Sequence, residues 1–174
     1  LIAAIPVYSV GGMLNRNSHS RANQNGPEEY GFRGNARNYD LNRDFIKSDT
    51  KNSRSFQKLF TELNPDIFLD NHVSNGADYQ YTFTCIATQH ERLGNKLGNY
   101  FINELYPSVV KDMNKKKIDV VPYVNVHSTT PDKGFEQFTD TPRYATGYST
   151  LFHTLGFVPE THMLKVYKER VKVT

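Results

Sequence analysis

Apolar positions recur along this chain with two periods. Phe56, Leu59, Phe60 and Leu63 fall at helical spacing, which predicts an amphipathic helix over residues 53–63. Asn64-Pro65 stops it, and residues 67–69 start a short apolar strand. Residues 1–7 are an apolar run and read as a buried strand. Asn75-Gly76 marks a turn, and the aromatic, β-branched stretch 79–86 predicts the strand after it. Leu93, Leu97, Phe101, Leu105 and Val109 mark one apolar face of a long helix, followed by a short strand at 118–121. Pro142 suits the first turn of a helix running to about Leu155, with Gly156 as its stop. Residues 157–160 read as a strand and 164–173 as the opening of a helix. Between these elements, residues 9–37 and 125–141 are polar and read as loops.

Strands alternating with helices predict an α/β fold: a mixed, largely parallel sheet flanked by helices. Such sheets bind ligands beyond the carboxyl ends of their strands, where His72 and Glu160 both fall. The length of 174 residues suits one domain. Both chain ends cut through expected elements, so residues 1–174 are expected to be part of a single larger domain, incomplete at both ends.

Composition adds three points. Hydrophobic content is only 37%, but 11 Tyr and 11 Phe imply an aromatic core. A net charge of +3 is too small to imply nucleic acid, and Lys115-Lys116-Lys117 suits a helix end. The single cysteine, Cys85, excludes an intrachain disulfide and sits in an apolar strand as a buried thiol. No apolar run is long enough to span a membrane. Leu1 is not a natural start, so any targeting segment is expected upstream.

The chemistry concentrates in three places. Arg37-Asn38-Tyr39-Asp40-Leu41-Asn42-Arg43-Asp44-Phe45 sets an amide beside a guanidinium. Such a pair can hold a carboxylate in one plane, the guanidinium binding through two parallel hydrogen bonds. Pro65-Asp66-Ile67-Phe68-Leu69-Asp70-Asn71-His72 ends an apolar strand in an imidazole, and Gly156-Phe157-Val158-Pro159-Glu160-Thr161-His162 ends another in a carboxylate. In this order the three segments resemble the zinc carboxypeptidase family, the carboxypeptidase A-like metallopeptidases. Residues 20–29, 72–81 and 160–171 are similar to a bacterial branch of it.

The resemblance implies a carboxypeptidase/phosphorylase-hydrolase-like fold around one zinc ion. It implies His72 as a metal ligand, Glu160 as the general base, and Asn42 and Arg43 as the clamp on the terminal carboxylate of a peptide substrate. It also implies a second arginine that stabilises the oxyanion, for which Arg21 is the candidate and Arg16 the rival. Tyr144 and Tyr148 are candidates for the family's mobile tyrosine, although a packing role fits both. The family's first two zinc ligands come from a His-x-x-Glu motif. None of His19, His72, His90, His127, His153 or His162 has a Glu three positions later. The remaining ligands are therefore expected upstream of Leu1, and the 174 residues alone are expected to be inactive. The expected function is removal of a C-terminal residue from a peptide. The alternatives are a zinc amidohydrolase acting on N-acyl amino acids and a metal-free peptide-binding domain. Bacterial relatives are often exported, which implies a periplasmic or secreted protein.

Overall fold

The computed structural model describes residues 1–74, 78 and 80–174. Its elements are α1 (Val10–Leu14), α2 (Lys51–Leu63), β1 (Ile67–Leu69), β2 (His72–Val73), β3 (Phe83–Ala87), α3 (Gly94–Tyr100), α4 (Tyr106–Lys115), β4 (Val121–Pro122), β5 (Val124–Val126), β6 (Phe135–Gln137), α5 (Ala145–Ser149), β7 (Leu155–Thr161) and α6 (Tyr167–Val173). The Asn75-Gly76 turn and Tyr79 lie outside the described residues.

The main sheet is mixed and mostly parallel. β7 runs through its middle and is buried along its whole length. On one side β7 pairs in parallel with β1 and then with β2; on the other it pairs antiparallel with β3, which pairs in parallel with β4. Side chains alternate across a strand, so the sheet feeds two cores. Ile86 and Val158 pack with Phe45, Phe56, Phe60 and Tyr148 on one face. Phe83, Cys85, Leu155 and Phe157 pack with Leu93 and Phe101 on the other. The first core is aromatic, as the composition implies. Phe56, Phe60, Phe68 and Tyr148 meet with ring centroids 5.5–6.1 Å apart, in tilted or edge-on pairs.

α2 forms where the periodicity predicts it. Thr50 caps it by accepting a hydrogen bond from the Ser53 N–H at 3.1 Å. Asn64 ends it in the left-handed region at φ 44°, just before Pro65. The long helix expected over residues 93–109 is present, with a π turn at Phe101–Leu105 between α3 and α4. Its apolar positions step by four residues, which advances each about 40° past a full α-helical turn. The wider turn pulls that row back, and Phe101 is 1% exposed at its centre. Burial pushes the Cys85 thiol up to about 12, with the Glu160 charge acting in the same direction. The cysteine is the buried thiol expected.

Three expectations are corrected. Residues 1–7 form no strand: they pair with none of the described strands, and Leu1 and Ile2 are almost fully exposed. An apolar run specifies burial only where a neighbour exists to take its ladder. Residues 125–141 are not simply a loop, because β5 and β6 form an antiparallel hairpin within and beside them. Each strand is only three residues long, too short for the alternation in Val124-Asn125-Val126 to stand out. Helix α5 starts at Ala145, after a turn in which the Tyr144 N–H donates to the Thr141 carbonyl at 2.9 Å. His153, at φ 56°, ends the helical segment, and Gly156 lies inside β7 instead. A Cβ on Gly156 would come within 2.5 Å of Ser149 Oγ. The glycine lets α5 press onto the sheet.

Candidate functional site

The register of β2 on β7 builds the centre of the site. His72 lies directly opposite Glu160 in the parallel ladder, which brings together residues far apart in sequence. The His72 Nδ1 stands 3.5 Å from Glu160 Oε1, and its Nε2 stands 3.0 Å from Asp70 Oδ2. Burial disfavours a charged imidazole here, but hydrogen bonds and charge from Asp70 and Glu160 outweigh it and raise the His72 pKa to about 10. The second Glu160 oxygen, Oε2, is buried and has no hydrogen-bond partner. Leaving such an atom unpaired costs free energy, so it stands out as a poised group.

Asn42 and Arg43 reach the same place from a short 3-10 turn, Leu41–Arg43. Asp40 caps that turn by accepting from the Asn42 N–H at 3.0 Å. Leu41, Asp44 and Phe45 are buried and anchor it, which turns Asn42 and Arg43 toward the cavity. Asp44 is held by the Asp49 and Thr50 N–H groups at 2.9 and 3.0 Å and by the Ser53 hydroxyl. Arg43 donates from Nη1 to the Asn42 carbonyl at 2.8 Å, and its guanidinium lies 4.6 Å from the Tyr144 ring centroid.

These groups line one cavity of about 230 Å³. Arg33, Asn42, Arg43, His72, Asn125, Asp140 and Glu160 supply polar groups, and Val73, Ile86, Tyr123, Phe138, Tyr144, Ala145 and Val158 its more apolar walls. Alternation along β7 explains why Val158 and Glu160 share this face. Volumes of ~300–1,000 Å³ are common for drug-sized ligands, so this cavity suits roughly one residue.

Of the residues singled out from the sequence, Asn42, Arg43, His72 and Glu160 converge here. Arg21 does not line the cavity. Burial first and then the charge of Arg33 lower its pKa, with Asp40 opposing. Arg16 is on the surface, 3.5 Å from Glu29 and half exposed. Tyr144 lines the cavity, whereas Tyr148 is core. The sequence reading missed Arg33, Asp140, Tyr123 and Phe138. Arg33 sits in a loop without periodicity, paired to Asp40 at 2.9 Å. Asp140 closes the stretch that reads as a plain loop, so neither carried a local signal.

The donor set is incomplete for a metal. Among the described residues no group of three or more His, Cys, Asp or Glu side chains could hold one. Asp70 and Glu160 approach different ring nitrogens of His72 and so cannot share an ion with it from one side. Both ring nitrogens of His72 already face carboxylates, so the residues present do not fit a metal.

No protein-family model matches the chain, and no curated protein matches it at a significant level. The fold is similar to that of a metallo-carboxypeptidase from Burkholderia cenocepacia. The TM-score is 0.59 at 13% sequence identity. The match covers 82% of this chain and 38% of that one. At that identity the likeness shows the fold: a mixed, mostly parallel sheet flanked by helices. The chain spans well under half of that neighbour's length.

Proposed function

We propose that this chain carries the substrate-binding and proton-transfer part of a metallocarboxypeptidase that removes the C-terminal residue of peptides. The observation that carries the proposal is the meeting, in one residue-sized cavity, of Asn42 and Arg43 with His72 and Glu160. The cationic end would hold the free carboxylate of the substrate. Glu160, with its unpaired Oε2, would take a proton from the attacking water and return it to the leaving amine. Arg33, which lines the cavity, would stabilise developing negative charge, with Arg21 as the other candidate. His72 would be one ligand of zinc, with the other ligands supplied from outside these residues.

A matched panel of free-carboxylate peptides and N-acyl amino acids, given to the full-length protein, tests the reading. Stepwise release of C-terminal residues from the peptides is the expected result. Cleavage confined to the N-acyl amino acids would replace it with the amidohydrolase reading.

The 174 residues alone are expected to bind zinc more weakly than micromolar, since catalytic zinc sites use about three protein ligands. Binding should also strengthen as pH rises, because zinc must displace the proton that His72 holds up to about pH 10. Zinc titration followed by calorimetry would show this. A micromolar or tighter site at neutral pH would mean that the ligand set has been misread.

A further inference from the structure

Arg170 is a buried cation that the proposed reaction does not use. It lies on α6 and is 4% exposed. Its Nη2 donates to the carbonyls of Asn25 and Gly26, at 2.6 Å each. Its Nε is buried and has no hydrogen-bond partner. Burial lowers its pKa, and the charges opposing that shift come from the Tyr30 and Tyr167 phenols, not from a carboxylate. Burying a guanidinium costs free energy, and carbonyls offset less of that cost than a carboxylate would. An unbranched apolar side chain could fill the same space. What the arginine adds is its grip on two carbonyls.

Those carbonyls belong to a hydrogen-bonded seam. The Asn25 N–H donates to the Met163 carbonyl at 2.8 Å, and its Nδ2 to the Leu164 carbonyl at 3.0 Å. Asn23 Nδ2 lies 3.8 Å from Met163 Sδ. Met163 and Leu164 belong to the chain just beyond the β7 end that carries Glu160. On the loop side, the Gln24 N–H donates to the Arg21 carbonyl at 2.9 Å, and the Tyr30 hydroxyl to the Gln24 carbonyl at 2.7 Å. Residues 20–27 contain no helix or strand, so these bonds set where Arg21 stands. Arg33 is held differently, by its ion pair with Asp40. The charge of Arg33, which lines the cavity, is felt at Arg21.

We infer that Arg170 is a positioning residue, which locks residues 21–26 onto the chain that follows Glu160 and so fixes the Arg21 guanidinium relative to the general base. The inference rests on the proposed peptide hydrolysis, in which Arg21 is a candidate for the cation that meets the developing negative charge.

Turnover of a free-carboxylate peptide by the full-length protein tests this, in Arg170→Ala, Arg21→Met and the double variant. Arg170→Ala is expected to lower kcat about tenfold and to change KM only a few-fold, because the clamp at Asn42 and Arg43 is carried by a separate turn. In the Arg21→Met background, Arg170→Ala should cost no further turnover. Should Arg170→Ala fail to fold, Asn25→Ala opens the same seam, with a smaller fall in kcat and the same non-additivity expected. An unchanged kcat in the folded seam variant, or losses that multiply in the double variant, would overturn the inference. If Arg21→Met itself leaves kcat unchanged, the inference falls and the carboxypeptidase reading stands. If the wild-type protein releases no C-terminal residue, both fall.

Discussion

Glu160→Gln in the full-length protein is expected to lower kcat by ~10²–10⁴-fold while changing peptide binding only a few-fold. The glutamine keeps the size of the side chain and its place on β7, opposite His72. It cannot accept the proton of an attacking water. The substitution also removes a charge that helps hold the proton on His72, so a modest fall in thermal stability at neutral pH is expected beside the loss of turnover. Turnover, peptide binding and the thermal midpoint of the same variant separate the possibilities. Equal loss of turnover and binding would show that Glu160 organises the cavity and does not move a proton.

Asp44→Ala is expected to destabilise the fold by about 3–4 kcal/mol, because it strips the partner from several buried donors at once. Asp44 is 3% exposed and gathers the Asp49 and Thr50 amides and the Ser53 hydroxyl at the entry to α2. It directly follows Arg43, so its loss should also loosen the turn that carries the clamp. Burial alone would raise its pKa, but the bonds from Ser53, Asp49 and Thr50 outweigh burial and hold the carboxyl below the ordinary value. A group whose folded pKa is depressed contributes fully above its unfolded value. That contribution is lost as pH falls through the folded value. The wild-type chain should therefore lose stability below about pH 4, and Asp44→Asn should show a shallower acid limb. Urea midpoints measured from pH 6 down to pH 2 would show the difference. Parallel acid limbs would mean that the carboxylate is not what holds this turn.

The sequence exposed the parts of the site that sit on periodic elements. His72 and Glu160 are legible because each ends an apolar strand, and the β2–β7 register then brings them together. Asn42 and Arg43 are legible because an amide and a guanidinium stand side by side in a turn-rich segment, in an order with His72 and Glu160 that resembles the zinc carboxypeptidases. Asp140 and Arg33 were not legible. Their places in the cavity depend on a loop closing over the sheet, and no local pattern encodes that. The strand expected at residues 1–7 failed for a related reason. Apolar character records a preference for burial but not whether a neighbour is there to provide it. The helix over 93–109 succeeded in position, and only the accumulated drift of its four-residue spacing hinted at the π turn.

The most direct test of the account is the affinity of this chain for one short peptide with a free C-terminal carboxylate against the same peptide amidated at that end. The account predicts that the free acid binds at least roughly tenfold tighter, and that Arg43→Met removes the difference. Equal affinities for acid and amide, or a preference that Arg43→Met leaves intact, would contradict it.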